Sequence, residues 1–120
     1  MSTATATLQD LENELNAMIL EGKILEAFER FYAEGCTMQD GSDVFEGKDT
    51  NREREKAFVN GLTELRAVEL HDVAIGDDVT MSTWHFDYTH GEWGTNTYDQ
   101  VAVRKWKDGK IVEERFYKDA

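Results

Sequence analysis

An Asp-Gly pair, Asp108-Gly109, sits between two runs of alternating apolar and polar residues in the segment Trp106-Lys107-Asp108-Gly109-Lys110. Both central residues of a type I′ turn take positive φ, which Asp and Gly tolerate, so the pair predicts a two-residue hairpin loop. That loop sets a register in which Trp106 faces Ile111, Arg104 faces Glu113, Val103 faces Glu114, Val101 faces Phe116 and Asp99 faces Lys118. Two of these pairs join opposite charges, as cross-strand neighbours do. One face then carries Asp99, Val101, Val103, Val112, Glu114 and Phe116. The other carries Gln100, Ala102, Arg104, Trp106, Ile111, Glu113, Arg115 and Tyr117. Both faces hold large apolar groups, so both need cover.

Upstream, residues 1–7 are small and polar and read as a tail before one domain over 8–120. Thr7 caps a helix whose stripe is Leu8, Leu11, Leu15, Met18 and Ile19, closed by Gly22. A second helix uses Ile24, Leu25, Phe28, Phe31 and Tyr32 and stops at Gly35. Cys36 to Asp40 reads as a short strand, and Val44 to Gly47 as an irregular connection. Thr50 and Glu53 form a capping box for a third helix to about Asn60, burying Ala57, Phe58 and Leu62. From Leu65 the period changes to two, giving strands Leu65–Ile75 and Val79–Thr89 before the final hairpin. On the second of these Trp84, Phe86 and Tyr88 share a face, and Met81, Thr83, His85 and Asp87 share the other. Helices segregated to one face of four antiparallel strands make an α+β fold.

The formal net charge of −12, from 25 acids against 13 bases, opposes phosphate backbones and anionic lipid surfaces. No nucleic-acid or membrane partner is expected, since no apolar run approaches a membrane span. The single Cys36 cannot form an internal disulfide, and a soluble cytoplasmic protein is the expectation. His71, His85 and His90 with Cys36 match no metal-ligand spacing, and no Gly-rich phosphate loop or nucleophile elbow is present. No metal and no cofactor is therefore expected.

The run from Val101 to Tyr117, with the preceding order of helices and strands, resembles the closing hairpin of SnoaL-like proteins. These belong to the nuclear transport factor 2-like superfamily, with ketosteroid isomerase, limonene epoxide hydrolase and the polyketide cyclases. The resemblance covers Leu8 to Tyr117 and implies a cone-shaped (cystatin-like) fold. In it a strongly curved antiparallel sheet wraps the three helices around a conical pocket. Such a scaffold hosts isomerases, hydrolases, cyclases and binders alike, so function rests on the site.

Residue by residue, Asp40 matches the place of the ketosteroid isomerase general base. Leu15 stands where that enzyme has an oxyanion-hole Tyr, which argues against steroid isomerisation. Val101 falls at its second donor, with Asp99 two residues earlier. Neither Thr97 nor Val101 supplies the Arg that limonene epoxide hydrolase places between acids.

Within the implied pocket, Tyr32, Phe58, Trp84, Phe86, Tyr88, Asp99, Val101 and Phe116 are the candidate ligand-binding residues, suiting a small, mainly apolar molecule. Plain core packing is the competing reading for the aromatics. Asp40 and Glu114 are the candidate catalytic acids. Glu114 lies among Val101, Val103, Val112 and Phe116, where an unpaired carboxylate titrates high; a hydrogen bond to Tyr or Trp would satisfy it instead. Asp40 precedes Gly41 and equally suits a turn. Asp99 is expected to pair with Lys118 at the rim. Two functions follow: a binding domain, or a cofactor-independent acid–base isomerase, cyclase or hydrolase. A homodimer is expected through the outer sheet face, built on Ala102, Trp106, Ile111 and Tyr117 with Met81 and Thr83.

Overall fold

The computed structural model describes residues 7–119, so the expected tail falls, but for Thr7, outside the described residues. Thr7 caps α1 (Leu8–Leu20), its hydroxyl accepting from the Asp10 amide at 3.1 Å while Asp10 accepts from the Thr7 amide. Gly22, at φ 82°, closes the helix as the Lys23 amide returns to the Met18 carbonyl. α2 (Ile24–Phe31) buries Ala27, Phe28 and Phe31. It stops before the expected Gly35, because the backbone turns extended at Tyr32, which opens β1 (Tyr32–Asp40) opposite Ile111.

The connection read as irregular is a strand, β2 (Asp43–Glu46), folded back on β1 around Gly41 at φ 63°. The Thr50–Glu53 box is absent, since α3 (Lys48–Gly61) begins three residues earlier, after Gly47 as N-cap at φ 93°. The Asn51 amide instead donates to the Phe45 and Gly47 carbonyls, each at 2.9 Å, tying the helix start to β2. Ala57, expected in the core, is exposed, and Phe58 is half-buried.

The remaining strands are β3 (Leu62–Ile75), β4 (Val79–His90), β5 (Gly94–Lys107) and β6 (Lys110–Lys118). They run antiparallel as expected, in a six-stranded sheet ordered β2-β1-β6-β5-β4-β3. β1 is parallel to β6, so the curved sheet is mixed rather than wholly antiparallel. The cone-shaped α+β architecture stands, with the helices packed on the concave face.

The hairpin turn forms as its residues require, with Asp108 at φ 53° and Gly109 at φ 78°. Trp106 pairs with Ile111, but the next pair is Lys105 with Glu113, so Val112 is an extra residue, a bulge. Beyond it Arg104 faces Glu114, Ala102 faces Phe116 and Val101 faces Tyr117. A one-residue slip exchanges the faces of a strand relative to its neighbour. Gln100, Ala102, Arg104 and Trp106 therefore point inward with Glu114, and Asp99, Val101 and Val103 point outward. The expected dimer residues Ala102, Trp106 and Ile111 lie in the core instead, each no more than 6% exposed.

The core joins Leu15, Ala27, Phe28, Phe31, Tyr32, Cys36, Met38, Trp106 and Ile111. Each large apolar side chain buried there contributes about 1.5–3 kcal/mol. No described helix is long and apolar enough to cross a membrane.

Candidate functional site

Between the helices and the concave sheet lies a cavity of about 310 Å³. One side is aromatic because Trp84, Phe86 and Tyr88 alternate inward along β4, opposite Gln100, Tyr98 and Asn96 of β5. Trp84 and Phe86 stack at 5.8 Å, Phe86 meets Tyr98 at 5.7 Å, and Phe58 of α3 meets Tyr88 edge-on at 5.2 Å. Trp93, half exposed at the rim, stacks on His90 at 3.7 Å.

His90 is buried beneath that ring. The Glu92 and Trp93 amides donate to its Nδ1, so Nε2 carries the hydrogen and donates to the Ala57 carbonyl at 2.9 Å. A Cβ on Gly61 would stand 2.1 Å from that Nε2, so the glycine permits the close approach of α3 to β4.

The cavity floor is a closed polar network. Arg104, buried on β5, donates through Nε to Glu114 Oε2 at 2.7 Å and through Nη1 to Glu12 Oε2 at 2.9 Å and Asn16 Oδ1 at 2.8 Å. The Tyr32 hydroxyl donates to the other Glu114 oxygen at 2.6 Å. Thr80 donates to Glu12 Oε1 at 2.7 Å and accepts from the Trp106 indole. Glu114 is thus not isolated among valines; both its oxygens are held. Burial first, and the Glu114 charge second, keep the Tyr32 phenol well above its ordinary value, so it remains a donor. Burial opposes the Arg104 charge, yet Glu114 and Glu12 hold its pKa above the usual guanidinium value.

Of the expected lining residues, Tyr32, Phe58, Trp84, Phe86, Tyr88 and Phe116 border this cavity with Asp40 and Glu114. Asp40 is paired with Lys118 at 3.1 Å. Asp99 and Val101 do not border it, because the bulge turns them to a depression on the outer face. Asp99 bonds His85 Nδ1 at 2.7 Å rather than Lys118, and that hydrogen bond raises the His85 pKa. Among the described residues no cluster of three or more His, Cys, Asp or Glu is arranged to hold a metal.

Two polar features escaped the sequence reading. Glu12 and Asn16 lie on the same helical stripe as Leu8, Leu15 and Ile19, a polar pair where apolar residues belong. Glu55, three residues before Phe58 on α3, also borders the cavity. Burial, then the Glu114 charge, pushes its carboxyl up to about 7, with Arg54 opposing. It makes no hydrogen bond or ion pair among the described residues.

A sequence profile of the SnoaL-like domain matches residues 13–114. In three dimensions the chain is similar to a protein described as a SnoaL-like polyketide cyclase from Mesorhizobium loti. The TM-score is 0.83 at 23% identity, covering 92% of this chain and 98% of that one. It is similar to another so described from Jannaschia sp. CCS1, with TM-score 0.76, 12% identity and coverage of 98% and 92%. An NTF2-like protein of unknown function from Cytophaga hutchinsonii superposes with TM-score 0.72, 15% identity and coverage of 98% and 95%. At these identities the likeness establishes the fold. No curated protein sequence matches the chain.

Proposed function

The chain belongs to the SnoaL-like domain family, and on that footing we propose that it binds a small, mainly apolar molecule in the cavity between helices and sheet. The aromatic wall carries this reading: Trp84, Phe86, Tyr88 and Tyr98 border a space of about 310 Å³, the lower end of the range typical of ligand pockets. A screen of aromatic and alicyclic compounds by protein NMR tests it. Binding should shift the signals of Phe86 and Trp93, and Phe86→Ala should weaken it. A screen in which nothing shifts those signals counts against the reading.

Glu55 favours a second reading, cofactor-independent acid–base chemistry. Asp40 and Glu114, the acids first considered, are each engaged in an ion pair, whereas Glu55 is unpartnered and poised near neutrality. A probe is the ring opening of 5-nitrobenzisoxazole, in which a base takes the ring C–H proton as the N–O bond breaks to a phenolate. Turnover should rise with pH through about 7 and vanish in Glu55→Gln. Equal rates in the two proteins would remove Glu55 as the base.

The outer sheet face remains the proposed homodimer contact, keeping Met81 and Tyr117 and taking Val101 and Val103 in place of the buried Ala102, Trp106 and Ile111. Met81 pairs with Val103, and Val101 pairs with Tyr117, joining an apolar strip across β4, β5 and β6. Met81 is 44% exposed and Tyr117 53%. Contiguous exposed apolar surface of this kind marks an interface. Light scattering should show a dimer that Tyr117→Glu converts to a folded monomer; a monomeric parent would end the proposal.

A further inference from the structure

The polar groups of the aromatic wall fall into two classes: those satisfied by protein and those left over. Trp84 Nε1 donates to Ser82 at 2.8 Å and is satisfied. Gln100 is not. Its side chain is only 9% exposed and borders the cavity, yet its amide makes no hydrogen bond among the described residues. No fully enclosed side-chain nitrogen or oxygen among them lacks a partner, so the Gln100 amide is accessible rather than sealed in protein. Gln100 borders both this cavity and the outer depression, and its register opposite Trp84 puts it on the inward face of β5. An accessible amide without a protein partner is left to pair with whatever enters, which makes it a recognition group.

The Tyr88 and Tyr98 hydroxyls supply the second observation. They lie 3.3 Å apart and bond to each other. Two hydroxyls carry two hydrogens, and one internal bond uses one of them. The remaining O–H has no acceptor among the described residues. Register places these groups side by side, with Gln100 opposite Trp84 and Tyr98 opposite Phe86, two residues apart on the inward face of β5. The spare hydroxyl offers a hydrogen, and the Gln100 amide offers either its NH₂ or its carbonyl, so a ligand acceptor is the group that an O–H and an amide N–H can share.

Charge narrows the class further. The cavity lining holds three acids, Asp40, Glu55 and Glu114, against three bases, Arg54, Arg104 and Lys118. Arg104 and Lys118 are committed to carboxylates, and Arg54 lies 3.6 Å over the Phe45 ring. Arg54 also donates to Asn51 Oδ1 at 3.2 Å, so each cation of the described lining already has a partner, and a neutral acceptor suits it better than a carboxylate or phosphate. We propose that Gln100 and the Tyr88–Tyr98 pair form a carbonyl-reading subsite on the cavity wall, for a neutral ring compound bearing one carbonyl oxygen and seated against Trp84 and Phe86. This rests on the cavity being a ligand site and adds the chemistry that the ligand must carry.

The test uses acetophenone and isopropenylbenzene, which share a shape but differ in a C=O against a C=CH₂. Their affinities for the full chain are measured by protein NMR titration. The readout is the ratio of the two dissociation constants, in which differences in the hydrophobicity of the compounds cancel between proteins. Gln100→Leu and the double variant Tyr88→Phe/Tyr98→Phe should each move that ratio about tenfold towards isopropenylbenzene, the size expected for one lost hydrogen bond. Both variants keep side-chain shape, and thermal melts confirm folding. A ratio unchanged in both folded variants overturns the subsite while leaving the cavity reading intact. Binding of neither compound by the parent chain would count against the cavity reading itself.

Discussion

Glu114 and Glu55 border the same cavity and are the same residue type in different surroundings. At the floor, Glu114 is 1% exposed, and each of its oxygens accepts a short hydrogen bond, from Tyr32 and from Arg104. On the helical wall, Glu55 is half-buried, without a partner, and pushed up to about 7. The floor joins α1, β1, β4, β5 and β6 through one guanidinium shared between two carboxylates. The wall leaves Glu55, Gln100 and one tyrosine hydroxyl without a partner among the described residues. The contrast shows that partners, not burial alone, separate an acid held in the floor network from one left unpaired on the wall.

The largest expected effect is at the floor. Arg104→Met removes the cation between Glu12 and Glu114 and leaves two buried carboxylates uncompensated. Breaking such a network costs about 3–5 kcal/mol, read by urea denaturation. A loss below about 1 kcal/mol would erase the distinction between floor and wall. Tyr32→Phe removes one donor to Glu114 and leaves the ion pair in place. A hydrogen bond to a charged group is worth about 1.5–3 kcal/mol, so this variant should fall between the parent and Arg104→Met.

The wall should show itself in pH dependence. A carboxyl whose folded pKa is raised keeps its proton in the folded chain while the unfolded chain loses it, so the folded state binds more protons between about 4.5 and about 7. Stability therefore falls as pH rises through that window. Glu55→Gln has no such proton to lose, and its stability relative to the parent should climb from pH 4.5 to 7. A constant difference would contradict the raised pKa. The smallest effect is at Asp40, whose partly exposed pair with Lys118 should be worth about 0–1 kcal/mol in Asp40→Asn.

Local chemistry made much of the fold legible in the sequence. Thr7, Gly22 and Asp108-Gly109 each demand one backbone geometry, and each adopts it. What was not legible depends on tertiary pairing. Val112 resembles any other strand valine, yet as a bulge it turns Arg104 and Trp106 inward and sends Asp99 and Val101 outward. Glu114 was assigned inward correctly, but its neighbours on β5 were reversed, so the buried acid seemed alone when its cation stood opposite. Tyr32 continues an apolar helical stripe, and only pairing with β6 draws it into a strand. For Glu12, Asn16 and Glu55 a signal existed in their helical spacing to Leu15, Ile19 and Phe58. Tracking apolar positions alone passed over them.

Carboxyl ¹³C NMR titration of the glutamates, with Glu55 assigned by its loss in Glu55→Gln, tests most directly whether the cavity holds a free acid beside a locked one. The account predicts a Glu55 midpoint near 7, and a midpoint at the ordinary value of 4.5 would contradict it.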